Sequence, residues 1–137
     1  MGLMINRPTG VSLSAVLPEI KGLRQRADVL YFGGPVSRNQ LFLLIRSHRR
    51  PKDAVHISGD IYASTSLSEL QRLTEEPSPG EKFHAYAGYA GWGAGQLDEE
   101  VSRGDWHVLQ ADGGSIFDKK PSDIWPELIG RVSGIWV

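Results

Sequence analysis

Apolar residues in this chain come in short runs broken by glycine and proline, some alternating with polar ones and some spaced as on a helix. Leu3 to Asn6 predicts a strand, and Arg7-Pro8-Thr9-Gly10 a turn after it, since proline fixes φ and lacks a donor while Gly10 tolerates positive φ. Leu13, Val16, Leu17 and Ile20 recur at helical spacing behind Ser12, a candidate N-cap, with Val11 and Val16 spaced as a staple and Pro18 expected to shorten the helix. Val29–Phe32 and Leu41–Ile45 read as two strands that pair, the second apolar on both faces. Val55, Ile57 and Ile61 suggest one further strand. Ser66 and Glu69 form a capping box ahead of Leu67, Leu70 and Leu73, and Pro77-Ser78-Pro79-Gly80 closes that helix.

Phe83 to Tyr89 alternates as a strand, with Phe83, Ala85, Ala87 and Tyr89 on one face and His84 and Tyr86 on the other. Four glycines follow within eight positions. A helix is expected from about Gln96 to Arg103, with Asp98, Glu99 and Glu100 in its first turn, where the helix dipole favours negative charge, and Gly104 as its terminator. Trp106–Leu109 predicts a strand and Asp112-Gly113-Gly114 a turn. In the last segment Ser122 is a candidate N-cap, and Ile124, Trp125, Leu128, Ile129 and Val132 share a helical face, with Pro126 tolerated in the first turn. The expected fold is α+β, one domain over residues 1–137, mainly antiparallel sheet with packed short helices.

Composition narrows the function. The 137 residues include no cysteine, which excludes a disulfide framework, a thiolate metal site and a cysteine nucleophile and fits a reducing cytoplasm. A net charge of −1 argues against a dedicated nucleic-acid binder, which carries a strongly basic surface. The start of the chain has no signal-peptide pattern, and no run approaches the roughly 18 apolar residues of a membrane span. The expectation is a cytoplasmic protein without membrane contact. Glycine is abundant, 16 of 137 residues, against a usual share of about 7%.

The densest candidate for chemistry is Gly88-Tyr89-Ala90-Gly91-Trp92-Gly93-Ala94-Gly95-Gln96-Leu97. Such a loop can turn backbone N–H groups toward an anion at a helix N-terminus. It is not a nucleotide fingerprint, because Gln96 stands where the dinucleotide motif needs glycine and no Gly-Lys-Ser/Thr ending occurs. A tight structural turn that packs Trp92 explains the same residues. Gly33-Gly34-Pro35 reads as a strand-ending turn, and Asn6-Arg7 as bracing or an anion contact. Arg46, Arg49, Arg50 and Lys52, with His48, form a basic cluster that would attract a phosphate backbone, but no aromatic residue is interleaved to stack bases. His48, His56, His84 and His107 have no metal-ligand spacing, and only a fold-dependent His84–His107 pair is conceivable. Neither a metal nor a cofactor is expected. No Gly-x-Ser-x-Gly elbow or positioned acid and base pair appears, so the reading leans away from an enzyme.

The ordered set Gly2-Leu3-Met4-Ile5-Asn6-Arg7-Pro8, Gly33-Gly34-Pro35-Val36, Gly88 through Leu97, Gly104-Asp105-Trp106 and Ile124-Trp125 resembles the bacterial YqgE/AlgH family over essentially the whole chain. The resemblance implies an α+β fold, a cytosolic location and no defined reaction. One member's name reflects a proposed role in transcriptional control of alginate production, which implies regulation. In that family an extended region and a strand precede the Asn-Arg-Pro segment, which here starts at Gly2. The chain is therefore expected to be N-terminally incomplete relative to the family, through a late start site or a truncation. An unpaired sheet edge and an uncovered apolar surface beside Leu3–Ile5 should then lower solubility.

The preferred expectation is a non-enzymatic binding or regulatory module for an unidentified protein or small molecule. Its surface combines Asn6, Arg7, Gly33, Gly34 and Pro35 with Gly88, Tyr89, Gly91, Trp92, Gly93, Gly95 and Gln96. The alternative is a protein or enzyme that holds a nucleotide or phosphate ligand on the glycine-rich loop. A nucleic-acid contact through Arg46 to Lys52 is a third. The oligomeric state is left open.

Overall fold

A computed structural model of the protein describes residues 1–133. The elements run β1 (Pro8–Ser12), α1 (Leu13–Val16), a 3-10 turn (Lys21–Leu23), β2 (Val29–Phe32), β3 (Val36–Arg46), β4 (Val55–Ser58), β5 (Ile61–Ser64), α2 (Leu67–Glu75), β6 (Lys82–Tyr89), α3 (Gln96–Ser102), α4 (Gly113–Phe117) and α5 (Pro121–Ser133). The strands form one sheet in the order β1-β2-β6-β3-β5-β4, antiparallel except where β2 runs parallel to β6. This is an α+β fold with a mostly antiparallel sheet.

The unbroken apolar run of β3 makes it a central strand buried on both faces. Leu43 and Ile45 join Leu13, Leu23, Leu70, Leu73, Phe83 and Ala85 in one core layer. Phe42 and Leu44 join Tyr31 and Tyr86 in the other, covered by Leu3, Ile5, Ile116 and Phe117. Helix α2 closes the first layer, and its Ser66 hydroxyl accepts the Glu69 N–H at 3.2 Å, but the expected box is only half formed, because Ser66 N–H donates to the Ser64 hydroxyl at 3.1 Å and the Glu69 carboxylate turns to Arg72. Below it the Arg72 guanidinium lies between the buried carboxylates of Glu69 and Glu81, at 2.6 and 2.8 Å.

Several expectations are corrected. Strands β2 and β3 do not pair, because β6 lies between them. The Gly33–Pro35 connection passes over the end of β6 instead of forming a hairpin. A β-carbon at Gly34 would stand 2.0 Å from the Tyr89 carbonyl carbon, so only glycine permits the crossing. Pro8 opens an edge strand where its missing donor costs nothing, and the Gly10 residue expected in a turn sits at a bulge between Pro8 and Ser12 with φ of 79°. Leu3–Asn6 forms no strand of its own. Its neighbour Gly2 instead makes an isolated bridge to Ala90.

The helix after Ser12 spans only Leu13–Val16, ending before Pro18, and Ser12 makes no side-chain cap. Val55, Ile57 and Ile61 belong to two strands joined at Gly59-Asp60, and Val55 and Ile57 face solvent on the sheet edge. Tyr89 leaves the face of Phe83 to pack on Phe42, because Gly88 at φ of 75° interrupts the alternation. Trp106–Leu109 pairs with no strand among the described residues, and Trp106, Val108 and Leu109 are exposed. Asp112 caps α4, accepting the Gly114 N–H at 2.9 Å, where a plain turn was expected. Helix α5 starts at Pro121, so Pro126 lies inside it, past the first turn. Of its expected apolar face Ile124 is buried, whereas Trp125 is exposed.

Candidate functional site

The end of β6 gathers segments distant in sequence. Gly2 N–H donates to the Ala90 carbonyl and Ala90 N–H to the Gly2 carbonyl, both at 2.8 Å, while Met4 N–H donates to the Gly33 carbonyl at 2.8 Å. Phe32 N–H donates to the Arg7 carbonyl at 2.7 Å and Gly33 N–H to the Ala87 carbonyl at 2.9 Å. The three segments singled out in the sequence therefore meet at one end of the sheet.

Their residues divide by burial. Gly33, Gly34 and Gly88 are buried where two backbones touch, since a β-carbon at Gly88 would lie 2.2 Å from the Gly34 carbonyl oxygen. They serve the crossing and offer little surface to a partner. Arg7, Pro35, Gly91, Gly93, Gly95 and Gln96 are exposed, whereas Asn6, Tyr89 and Trp92 are half-buried.

Above this seam Trp92 packs on Gly2, where an added β-carbon would lie 3.0 Å from the indole. Trp106 lies edge-to-face against Trp92 with ring centroids 5.8 Å apart and an interplanar angle of 72°. Both indole N–H groups donate to one oxygen of Glu100, from Trp106 at 2.7 Å and Trp92 at 3.3 Å. Gln96 donates to the other Glu100 oxygen at 3.1 Å and accepts the Gly93 N–H at 2.9 Å. The Trp106 bond, aided by Gln96, Trp92 and the nearby Arg103 charge, holds the Glu100 carboxyl below the usual carboxylate range.

Trp92, Trp106 and Trp125 line one groove of about 290 Å³ with Met4, Ile5 and Leu128. A second hollow of about 350 Å³ adjoins it at Gly2, Trp92 and Trp106 and is lined by Leu97, Val101 and Leu109. Trp125 is 61% exposed and Trp106 47%. Indoles left this open form an apolar patch of the kind that marks interaction surfaces. Trp106, Trp125 and Glu100 were not among the sequence candidates for the site. The signal was present in four tryptophans, an unusual load for 137 residues, but only the fold shows that three converge.

Three amides in and beside the glycine-rich loop are engaged. Gly93 N–H is held by Gln96, Gln96 N–H by the Gly93 carbonyl at 3.0 Å, and Ala90 N–H by Gly2. Asp98 and Glu99 stand in the first turn of α3, opposing an anion there. Arg46 stands apart from the rest of the basic cluster. Arg46 reaches Asp118 at 3.0 Å and Asp60 at 3.7 Å, and Arg50 is spent on the Ala54 carbonyl at 3.2 Å. Arg49, Arg50 and Lys52 border a hollow that also holds Arg72 and Glu81. Among the described residues no three His, Asp or Glu side chains gather as metal ligands, and no helix is long and apolar enough to cross a membrane.

The DUF179 family model, described as AlgH-like, matches residues 1–136. The chain belongs to the AlgH-like family. It is 31% identical over 135 residues to a UPF0301 protein of Cytophaga hutchinsonii, covering 97% of this chain and 72% of the relative. It is 35% identical over 132 residues to a UPF0301 protein of Methylococcus capsulatus, covering 94% and 72%. Among solved structures it superposes on the AlgH protein of Pseudomonas aeruginosa with a TM-score of 0.78 at 33% identity, covering 96% of this chain and 71% of that one. A Corynebacterium diphtheriae protein, DIP2367, shares the fold with a TM-score of 0.76 at 20% identity, covering 94% and 69%.

Proposed function

We propose that this member of the AlgH-like family is a non-enzymatic binding module that docks a partner in the groove of Trp92, Trp106 and Trp125. The observation that carries this reading is the exposure of Trp106 and Trp125 around an apolar groove whose rear wall is built by the motif residues Gly2–Asn6 and Ala90. Aromatic side chains in such hollows act as anchors at interfaces, because they bury a large area at a small entropic cost. A regulatory role, including a link to transcription and a cytoplasmic place of action, fits a protein that works by contact. The glycine-rich loop favours this reading over a phosphate ligand, since Asp98 and Glu99 follow it in the first turn of α3 and oppose an anion there.

The test is a photo-crosslinking side chain introduced in living cells at Trp125, and separately at Val11 on the exposed β1 edge. Discrete adducts from position 125 and none from position 11 are expected. Equal adducts from both positions, or none from 125, would remove the groove as the docking site.

A further inference from the structure

We infer that the segment docking in the tryptophan groove is basic and aliphatic, presenting arginine or lysine side chains to the indole faces and aliphatic ones to Met4, Ile5 and Leu128. This rests on the preceding reading and adds the chemistry of the occupant. Two independent features of the surface carry it.

The first is the bond pattern of Glu100. Indole faces attract cations through the ring quadrupole, and tryptophan is the strongest aromatic partner for them. Trp92 and Trp106 both donate their N–H to the same Glu100 oxygen, so an anionic charge is bonded to the edge of each ring and increases the electron density of its face. A glutamate carboxylate is ionised across the neutral range, and those bonds favour its charged form further. The arrangement disfavours an acidic occupant, which would meet the same electron-rich faces.

The second is the rim. On α3, Leu97 and Val101 face the adjoining hollow, and helical spacing sets Asp98 on one side of that stripe and Glu100 on the other. Asp98, which lines a separate hollow with Ser102 and Arg103, makes no salt bridge among the described residues, and Arg103 is bonded to Asp105 at 2.8 Å. An apolar channel flanked by the unpaired Asp98 on one side and the indole-bonded Glu100 on the other complements a segment that alternates aliphatic and basic residues. The groove itself has little polar lining beyond Asn6, so a purely charged segment would leave its apolar floor uncovered.

The experiment titrates the intact protein with an end-capped alternating Leu-Arg peptide and with its Leu-Gln and Leu-Glu counterparts, following tryptophan emission. A saturable shift is expected with Leu-Arg, weakening as salt is raised, with Leu-Gln weaker and Leu-Glu silent. Glu100→Gln keeps an acceptor for the indoles while removing the charge, and should weaken Leu-Arg binding by about two- to fivefold. Asp98→Asn, on the exposed rim, should act in the same direction without touching the indoles, and circular dichroism checks that both variants stay folded. Leu-Gln binding as tightly as Leu-Arg at low salt, or both variants binding like the parent, would overturn the basic occupant and leave the groove as a docking site. Leu-Glu binding tightest would overturn it too. Silence of all three peptides while position 125 still crosslinks in cells would overturn the chemistry alone, and silence in both assays would remove both readings.

Discussion

Replacing Gly34 with alanine tests whether the crossing of β2 to β3 over the end of β6 is the joint of the fold. The added carbon would lie 2.0 Å from the Tyr89 carbonyl carbon, 2.3 Å from its oxygen and 2.4 Å from the Ala90 nitrogen. Carbon atoms pack at about 3.5–4.0 Å, so the two backbones must part by roughly 1.5 Å along that line. Every clashing atom is main chain and cannot rotate away. Overpacking costs about 1–3 kcal/mol, and parting the strands weakens the paired Gly2–Ala90 bonds, each worth about 1 kcal/mol. The expected loss is about 2–5 kcal/mol, which lowers Tm by roughly 8–20 °C for a domain of this size.

Gly113→Ala is the control, because its nearest neighbour is the guanidinium of Arg46 at 2.8 Å, the far end of a flexible side chain, and alanine favours the helix there. Thermal and urea denaturation of both variants, with tryptophan emission as a second probe, measures the difference. Since Ala90 carries Gly2 beneath Trp92, Gly34→Ala should also alter the emission of the folded state. Equal melting temperatures for Gly34→Ala and Gly113→Ala, or a loss under about 1 kcal/mol, would refute the crossing as described.

Other perturbations separate stability from binding. Trp125→Ala removes an exposed ring, so stability should change by less than about 0.5 kcal/mol while the position-specific docking is lost; a large fall in Tm would show that the ring supports the fold. Tyr86→Phe deletes a buried hydroxyl that has no hydrogen-bond partner among the described residues, and should be neutral or stabilising by up to about 1 kcal/mol in urea titration, whereas a clear loss would reveal a partner for it. Arg72→Met strands the buried carboxylates of Glu69 and Glu81 and should cost about 3–5 kcal/mol. Burial alone would raise Glu81, but the Arg72 hydrogen bond and the Ser78 amide outweigh it and hold the carboxyl low, so its contribution is present above about pH 4.3 and lost as pH falls through the folded value; a flat acid limb in the parent would contradict this. Burial lowers His84, so the unfolded chain takes up a proton near pH ~6.5 that the folded one refuses; stability should fall below that pH, and His84→Phe should flatten the slope.

Local signals were legible where one residue type has one physical use. The Ser66 cap, the double-sided apolar run of β3, the acidic first turn of α3 and the terminator Gly104, at φ of 83°, all follow from side chain and backbone chemistry within a few positions. Pairing was not legible, because the partner of β2 is β6, more than fifty residues away, and nothing in Val29–Phe32 specifies a parallel neighbour. The edge strand β1 was hidden by Pro8 and Gly10, which read as a turn until a sheet edge is present to accommodate them. The site was half legible. The glycine segments converge as their composition suggested, yet the groove depends on Trp106 and Trp125, whose neighbourhoods read as a strand and a buried helix face.

That division has a consequence for assigning roles within the motif. The buried glycines Gly33, Gly34 and Gly88 bring β2 and β6 close enough for Ala90 to bond Gly2, and Gly2 in turn leaves the space that Trp92 fills. A substitution at any of them disturbs the crossing and the groove together, so loss of binding in such a variant says nothing about contact with a partner. The side chain of Trp125 lines the groove, Glu100 bonds two of its indoles and Asp98 stands on the flank of α3, none of them holding the crossing. A variant there that stays folded and loses binding identifies the surface, whereas a glycine variant only identifies the joint beneath it.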